Sequence, residues 1–468
     1  MQVLLNNLKK GINMNYKKTL SITILTSILG LNCLPISAHA FVKKPVIQSQ
    51  VTEYKFTDVN LDWWKNYNDE ILEGYIIKAI DNNQDLKIAT LKVEESKQNV
   101  KMQFSKELPT AAVGIAPALY KMSGVGNTES TFGYPVMVNY EADIFLKNHD
   151  KTKSVKKLYE VSKFNEKAAY ISIASQVGAV YFNIVKLDKL MSIQNEIIAS
   201  RKQIYELMKQ RNQQGITSTA DLVRADKSYV SATADLSDLK KSREIMLNAL
   251  AVLIGETPNN VNEFKRISYD ELAYKKVIPE EISSDIITQR PDYLAAEKQV
   301  EKAGLDVKIA KKEFLPNISI LGLMFFSTNS LGTTMNWTNA LSFLGGSLML
   351  PLFSGGAKFA NLRLSKNKYE QILQNYYKTN LVAIQEVNDT LSSLKLDNEK
   401  HQKNLKSLNM QRADYKYMQK RYEQGIISGL DLLQQKENLL TIDKMVTASK
   451  TDCFIDQISL YKAVGGKL

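Results

Sequence analysis

Two carboxylates, Asp221 and Asp431, occupy the same place in a segment that occurs twice. Arg211-Asn212-Gln213-Gln214-Gly215-Ile216-Thr217-Ser218-Thr219-Ala220-Asp221-Leu222 returns as Arg421-Tyr422-Glu423-Gln424-Gly425-Ile426-Ile427-Ser428-Gly429-Leu430-Asp431-Leu432. The chemistry open to these acids is electrostatic. Carboxylates gathered at a narrow opening repel one another, bind cations and can set a gate. Each also has a structural role. Ser218 with Asp221, and Ser428 with Asp431, have the Ser-x-x-Asp spacing of a capping box. Gly215 and Gly425 stand where a helix ends on a glycine.

Covalent chemistry finds little material. His39, His149 and His401 are the only histidines, and no cluster has metal-ligand spacing. Gly355-Gly356-Ala357-Lys358 lacks the spacing of a phosphate-binding loop and reads as a turn after a strand. No nucleophile–base pairing can be argued, so neither an enzyme nor a cofactor or metal site is expected. Net charge is +12, but charged residues make up 24% of the chain with their signs interleaved. That balance describes a solvated surface rather than a nucleic-acid footprint.

The elements that would hold these turns are also duplicated. Asp85-Leu86, Ala89, Val93-Glu94, Val100-Lys101 and Leu108-Pro109 correspond to Asp292, Ala296, Val300-Glu301, Val307-Lys308 and Leu315-Pro316. Tyr159-Glu160, Tyr205 and Met208 correspond to Tyr369-Glu370, Tyr415 and Met418. The spacing, about 210 residues, far exceeds that of a solenoid repeat. Two structural repeats are therefore expected, over residues 62–260 and 280–468. A proline-free run from Ser154 to Gln210 carries an apolar stripe through Val177, Val180, Ile184, Leu187, Met191, Ile198, Tyr205 and Met208. A second stripe, through Leu190, Ile193, Ile197, Ile204 and Leu207, gives this helix two neighbours. Such a helix reaches roughly 80 Å. A partner is expected over Ala220–Ile254, and the same pair again over Ala357–Gln424 and Leu430–Tyr461.

Residues 110–145 and 317–353 lose the helical period. Tyr134, Val136, Val138 and Tyr140 alternate, as do Ile318, Ile320, Met324 and Phe326. Ser123–Asn127 and Ser330–Thr334 read as the intervening loops. Each strand is about 10 residues long, enough to cross a tilted bilayer path. Tyr120, Tyr134, Phe145, Trp337, Phe343 and Phe353 suit membrane interfaces. Alternation alone fits a soluble sandwich edge equally well, and export tips the reading toward membrane. About four strands cannot close a membrane barrel, and open backbone groups are not tolerated in lipid, so several chains must share one.

Export is read from the N-terminus. Lys17 and Lys18 precede the apolar stretch Leu20–Leu34, and Ala38-His39-Ala40 supplies small residues at the cleavage positions. Residues 1–40 are expected to be a signal peptide, with Met14 as the start of translation. Cys33 lacks a lipidation context, having Gly30 and Asn32 at the deciding positions. The mature chain then keeps Cys453 alone and forms no intrachain disulfide.

Together these features resemble the TolC-like outer-membrane efflux factors, specifically the NodT/OprM branch. The resemblance runs from Trp63 to the end. Asp62-Trp63-Trp64 with Tyr67 and Asp69 is similar to the N-terminal signature. Pro279, Ser284-Asp285-Ile286-Ile287 and Gln289-Arg290-Pro291-Asp292 with Ala296-Glu297 resemble the mid-chain linker motif. Leu350–Gly356, Glu386-Val387-Asn388-Asp389 and Tyr461–Gly466 resemble the strand-to-helix turn, the following helix and the terminal motif. The resemblance implies a mainly α protein with membrane β: a homotrimer whose twelve-stranded β-barrel is continued by a long periplasmic α-helical barrel. Its function would be the exit duct of a tripartite efflux pump in the outer-membrane lipid, with a periplasmic adaptor and an inner-membrane transporter as partners. It assigns the aperture to Asp221, Asp431 and Gln434, where Gln434 stands in place of a second acid. It assigns adaptor docking to Arg211, Gly215, Ser218, Arg224, Arg421, Gly425 and Ser428. Two alternatives are an exit duct for type I protein secretion and a periplasmic coiled-coil structural or adaptor protein.

Overall fold

Among the described residues, twelve regular helices and strands follow one another in an order that runs twice from helix to strands to long helix to shorter helix. The computed structural model describes residues 63–120, 129–274, 282–328 and 340–466, all within one unit, Phe56–Leu468. The expected signal segment with Met14 and Cys33, the loops Ser123–Asn127 and Ser330–Thr334, and Asp62, Pro279 and Trp337 lie outside the described residues.

The helices are α1 (Glu70–Asn82), α2 (Gln84–Phe104), α3 (Lys147–Gln213), α4 (Thr219–Leu253), α5 (Pro291–Lys312), α6 (Ala357–Glu423) and α7 (Gly429–Ala463). α3 and α6 are each 67 residues long, and α4 and α7 each 35. Both pairs are offset by 210 positions. Helix entry follows local chemistry. Asp69 caps α1 by accepting from the Ile71 and Leu72 amides, at 2.9 and 3.1 Å. Pro291 opens α5, where its missing N–H costs nothing. Leu146 and Gly356, equivalent across the repeat, both have positive φ just before the long helices. Glycine adopts that conformation freely, whereas leucine is strained there. The Asp143 carboxylate accepts from the Lys147 and His149 amides and holds the leucine version in place.

α3 is the spine. It packs on α2 and α5 in its first half and on α4 and α7 in its second. Two neighbours at each level are what its two apolar stripes require. Val177, Ile184, Ile193 and Ile197 are buried, while Tyr205 and Met208 stay partly open toward the far end. The apolar middle of α3 is long enough to cross a bilayer, but most of it is covered by these neighbours. An aromatic core surrounds this middle. Trp63, Tyr67, Phe182, Phe454 and Tyr461 stack at centroid distances of 4.9–5.9 Å. Gly178 admits Trp63 at a distance where any Cβ would clash, 2.9 Å. Trp63 is therefore wedged against the spine at Gly178.

Arg290 joins three separate motifs. It is 5% exposed. Its guanidinium donates to both oxygens of Asp292 (3.0 and 2.7 Å), to Glu386 (2.6 Å) and to the Ala463 carbonyl (2.6 Å). The linker motif, the α6 motif and the terminal motif thus meet at one cation. Gly465, in the left-handed conformation, lies against its backbone.

The sheet is β1 (Thr110–Val113), β2 (Ala116–Tyr120), β3 (Glu129–Glu141), β4 (Asn317–Thr328) and β5 (Ala340–Met349), all antiparallel. β1 and β2 both pair with β3, then β3 pairs with β4 and β4 with β5. The sheet is thus four strands wide and open at both sides among the described residues. Two details differ from the sequence reading. The hairpins end earlier, at Glu141 and Met349, and residues 142–146 and 350–356 turn into the helices. The first strand is broken at Gly114-Ile115, opposite Pro135, which has no N–H to offer the ladder. Of the expected interface aromatics, Phe353, Phe343 and Phe145 are exposed, Phe353 at 90%, and Tyr134 is half-buried.

Two outcomes follow. Arg290→Ala removes the shared donor of Asp292, Glu386 and the Ala463 carbonyl and, both carboxylates being half exposed, should cost about 1.5–3 kcal/mol, seen as a lower urea midpoint of helix unfolding. Arg290→Lys should recover only part of it, because an ammonium cannot form the fork. Separately, burial and then the facing Asp397 carboxylate raise Asp456 to about 7, with Asp452 adding and Lys400 opposing. A raised carboxyl contributes stability at low pH that is lost between about pH 4 and pH 7. Asp456→Asn should therefore raise the thermal midpoint by several degrees at pH 8 and by little at pH 4. An equal gain at both would refute this.

Candidate functional site: the helical tips

The candidate site is the pair of turns that reverse the long helices, α3 into α4 and α6 into α7. Each turn is a Schellman closure. The Gly215 amide donates to Asn212 O and the Ile216 amide to Arg211 O, both at 2.9 Å. The Gly425 and Ile426 amides donate to Tyr422 O and Arg421 O at the same 2.9 Å. Gly215 and Gly425 have φ of +71° and +72°, and nothing approaches within 4 Å of where a Cβ would sit. Backbone conformation alone requires glycine here.

The two caps are not equal. Ser428 and Asp431 form the full box: the Asp431 amide donates to Ser428 Oγ (3.2 Å), and the Ser428 amide donates to Asp431 Oδ2 (3.1 Å). At the first turn only half of the expected box forms. The Asp221 amide donates to Ser218 Oγ (3.1 Å), and Oγ donates to Asp221 Oδ2 (2.6 Å). The other carboxylate oxygen is taken by Arg224, one helical turn on, at 3.1 Å. Arg224 has no counterpart in the second repeat, where Gln434 stands, exposed.

Charge therefore differs between the tips. Asp221 is compensated within its own turn. Asp431 stays exposed and is held below the usual carboxylate range by the Ser428 hydroxyl and amide, with a further contribution from Arg211. Arg211 belongs to the other turn, so the structure brings Arg211 and Asp431 into one electrostatic field. Arg421 instead lies over the Tyr417 ring, at 5.8 Å.

Behind the tips is a lock that sequence reading missed. Arg201 Nε donates to Glu437 (2.8 Å), Nη2 bonds to the same oxygen, and Nη1 donates to Ser228 O (3.0 Å). It ties α3 to α4 and α7 about 13 residues from the turn, roughly 20 Å along the helix. Deeper still, the buried Gln194 donates to Ala232 O (2.7 Å) and accepts from Lys444. Neither pair is repeated, since Gln411 and Lys227 occupy the equivalents of Arg201 and Glu437. A search for duplicated residues therefore passes them by.

An outer membrane efflux protein family model matches this chain over residues 75–256 and again over 282–466. The toluene efflux pump outer membrane protein TtgC of Pseudomonas putida is 24% identical over 466 residues, 96% of each chain. The cation efflux system protein CusC of Escherichia coli is 25% identical over 414 residues, 87% of this chain and 89% of that one. Among solved structures, the CmeC outer membrane channel of Campylobacter jejuni superposes with a TM-score of 0.79 at 25% identity, covering 88% of this chain and 89% of that one.

The inequality of the caps is testable by amide exchange. Ser428→Ala removes a complete box and should cost about 1 kcal/mol, or roughly fivefold faster exchange in the first turn of α7. Ser218→Ala should cost less in α4, because Arg224 still holds Asp221 in place.

Proposed function

This chain belongs to the outer membrane efflux protein family, and from that premise we propose that three copies form one passive exit duct, gated at the helical tips. It resides in the outer membrane, as its relatives do. The observation that carries the trimer is an unfinished surface. α3 buries 21 of its 67 residues, whereas the equally long α6 buries three. α3 has neighbours from both repeats, whereas among the described residues α6 packs on α5, α7 and the short turn Ser284–Gln289, all of its own repeat. Leu364, Leu381, Leu396 and Met410 are left exposed on α6, Leu381 at 68%.

The repeat supplies the missing neighbour. Within the chain, repeat one offers α3 to α5 and α7 of repeat two. The equivalent next contact offers α6 to α2 and α4 of another copy. A head-to-tail contact of this kind closes into a ring when its rotation divides the circle. The same step brings β5 beside β1 and β2 of the next chain, so three copies make twelve strands. Strands of 10–13 residues match the hydrocarbon thickness when tilted. The long helices then continue the wall into the periplasm.

In such a ring the tips converge at the far end. Asp431, with one distant cation, carries the repulsion and cation affinity of the aperture, while Asp221 is largely neutralised by Arg224. The turns bearing Arg211, Gly215, Ser218, Arg421, Gly425 and Ser428 are the surface offered to a periplasmic adaptor, and through it to an inner-membrane transporter. Relatives named for toluene and for cations are about equally similar to this chain. Cargo choice is accordingly a property of the transporter rather than of the duct.

The test is conductance of the purified protein in planar bilayers. Wild type should show a low conductance, raised several-fold by Asp431→Ala and less by Asp221→Ala. No conductance from any tip variant would contradict an exit duct. A larger effect at Asp221 would contradict the assigned division of charge.

A further inference from the structure

The membrane-proximal ends of α3 and α6 carry a second duplicated feature. Lys153 and Lys156 on α3 correspond, at the same offset of 210, to Arg363 and Lys366 on α6. All four are exposed and have no ion pair among the described residues. The helix between them differs, Lys311 alone among its lysines being exposed without an ion pair among the described residues. On α5, Lys298 pairs with Glu301, Lys302 with Asp306, and Lys308 and Lys312 with Asp150.

Direction explains why the difference matters. Side chains lean toward the N-terminus of their helix. α3 and α6 start at the sheet and run away from it, so their cations lean back toward the sheet. α5 runs toward the sheet, and its neutralised lysines lean away. Lys153 and Lys156 lie six and nine residues into α3, about 9 and 14 Å from its start, within reach of the headgroup layer for an extended lysine. With Lys157, Glu160, Glu301, Gly304 and Leu305 they line a groove of about 570 Å³, in which both acids are paired to Lys157. On α6, Phe359 lies four and seven residues before Arg363 and Lys366, on the same helix face and nearer the sheet. It is 65% exposed. An aromatic ring above a basic pair is the layering of a membrane interface, acyl region first and phosphate next. A water-filled lumen would not favour that ring.

We propose that these duplicated cations hold the phosphate headgroups of anionic phospholipids in the periplasmic leaflet of the outer membrane. The proposal rests on the assignment of the sheet to that membrane. The likeness of the two repeats would place a basic pair at six positions around a trimer, forming a collar.

The test uses the full-length protein, delipidated in detergent and titrated with phosphatidylglycerol or phosphatidylcholine, with bound lipid counted by native mass spectrometry. Wild type should prefer phosphatidylglycerol by about tenfold or more. The combined variant K153Q/K156Q/R363Q/K366Q should lose that preference, and K153R/K156R/R363K/K366R should keep it while folding and inserting as wild type does. Inorganic phosphate at the same concentration should not compete. A preference unchanged in the glutamine variant would overturn the proposal. So would an altered ion selectivity of its conductance with lipid binding intact, which would turn the cations toward the lumen. Displacement of lipid by free phosphate would also overturn it. Failure of wild type to enter phosphatidylcholine vesicles at all would instead overturn the membrane assignment beneath it.

Discussion

A β-strand cannot leave its hydrogen-bonding edge open in hydrocarbon. The sheet of this chain is four strands wide, and both its outer edges are unpaired among the described residues. Four is half the smallest barrel. The deficit is not made up by a helix covering the edges, because the helices that adjoin the sheet, α2, α3, α5 and α6, each meet it at one end and run away from it. Association is therefore a condition of the membrane-inserted state. The same deficit appears in the helices, where α6 lacks the neighbours that its counterpart α3 possesses. One missing contact accounts for both.

Duplication makes that economy possible, and the departures from it carry the specific behaviour. Positions that set backbone shape repeat: Gly215 with Gly425, and the left-handed residue before α3 and α6. The positions that decide how each tip acid is compensated do not. Arg224 neutralises Asp221, while Gln434 leaves Asp431 uncompensated in its own turn. Arg201 with Glu437 and Lys444 with Gln194 bind the two helical hairpins of one chain together behind the tips. Movement at an aperture would be resisted within a chain by these pairs. A soluble coiled-coil protein would have no use for this arrangement, nor for Leu341, Leu344 and Leu348 standing exposed along β5.

Much of the architecture was legible because it rests on periodicity and on glycine. The heptad stripes located α3, although it begins seven residues before Ser154, its partner α4 falls within one residue of the expected span, and the repeated Gly-Ile-x-Ser motif located both tips. Strand ends were less legible. Alternation continues through Phe145 and Phe353, although the ladder stops at Glu141 and Met349, since apolar residues persist into the interfacial turns. The half-formed box at Ser218 was hidden because Ser-x-x-Asp describes spacing alone, and a competing arginine one turn on decides the geometry. Arg290 was visible as a motif residue, but its partners Glu386 and Ala463 lie 96 and 173 residues away. Only the folded chain brings them together.

Everything here turns on an insufficiency: one polypeptide does not supply enough strands or helices to seal itself. The direct measurement is the native mass of the particle extracted from outer membranes in mild detergent. A particle of three chains with threefold symmetry is expected. A stable, water-soluble single chain recovered without detergent would contradict the account.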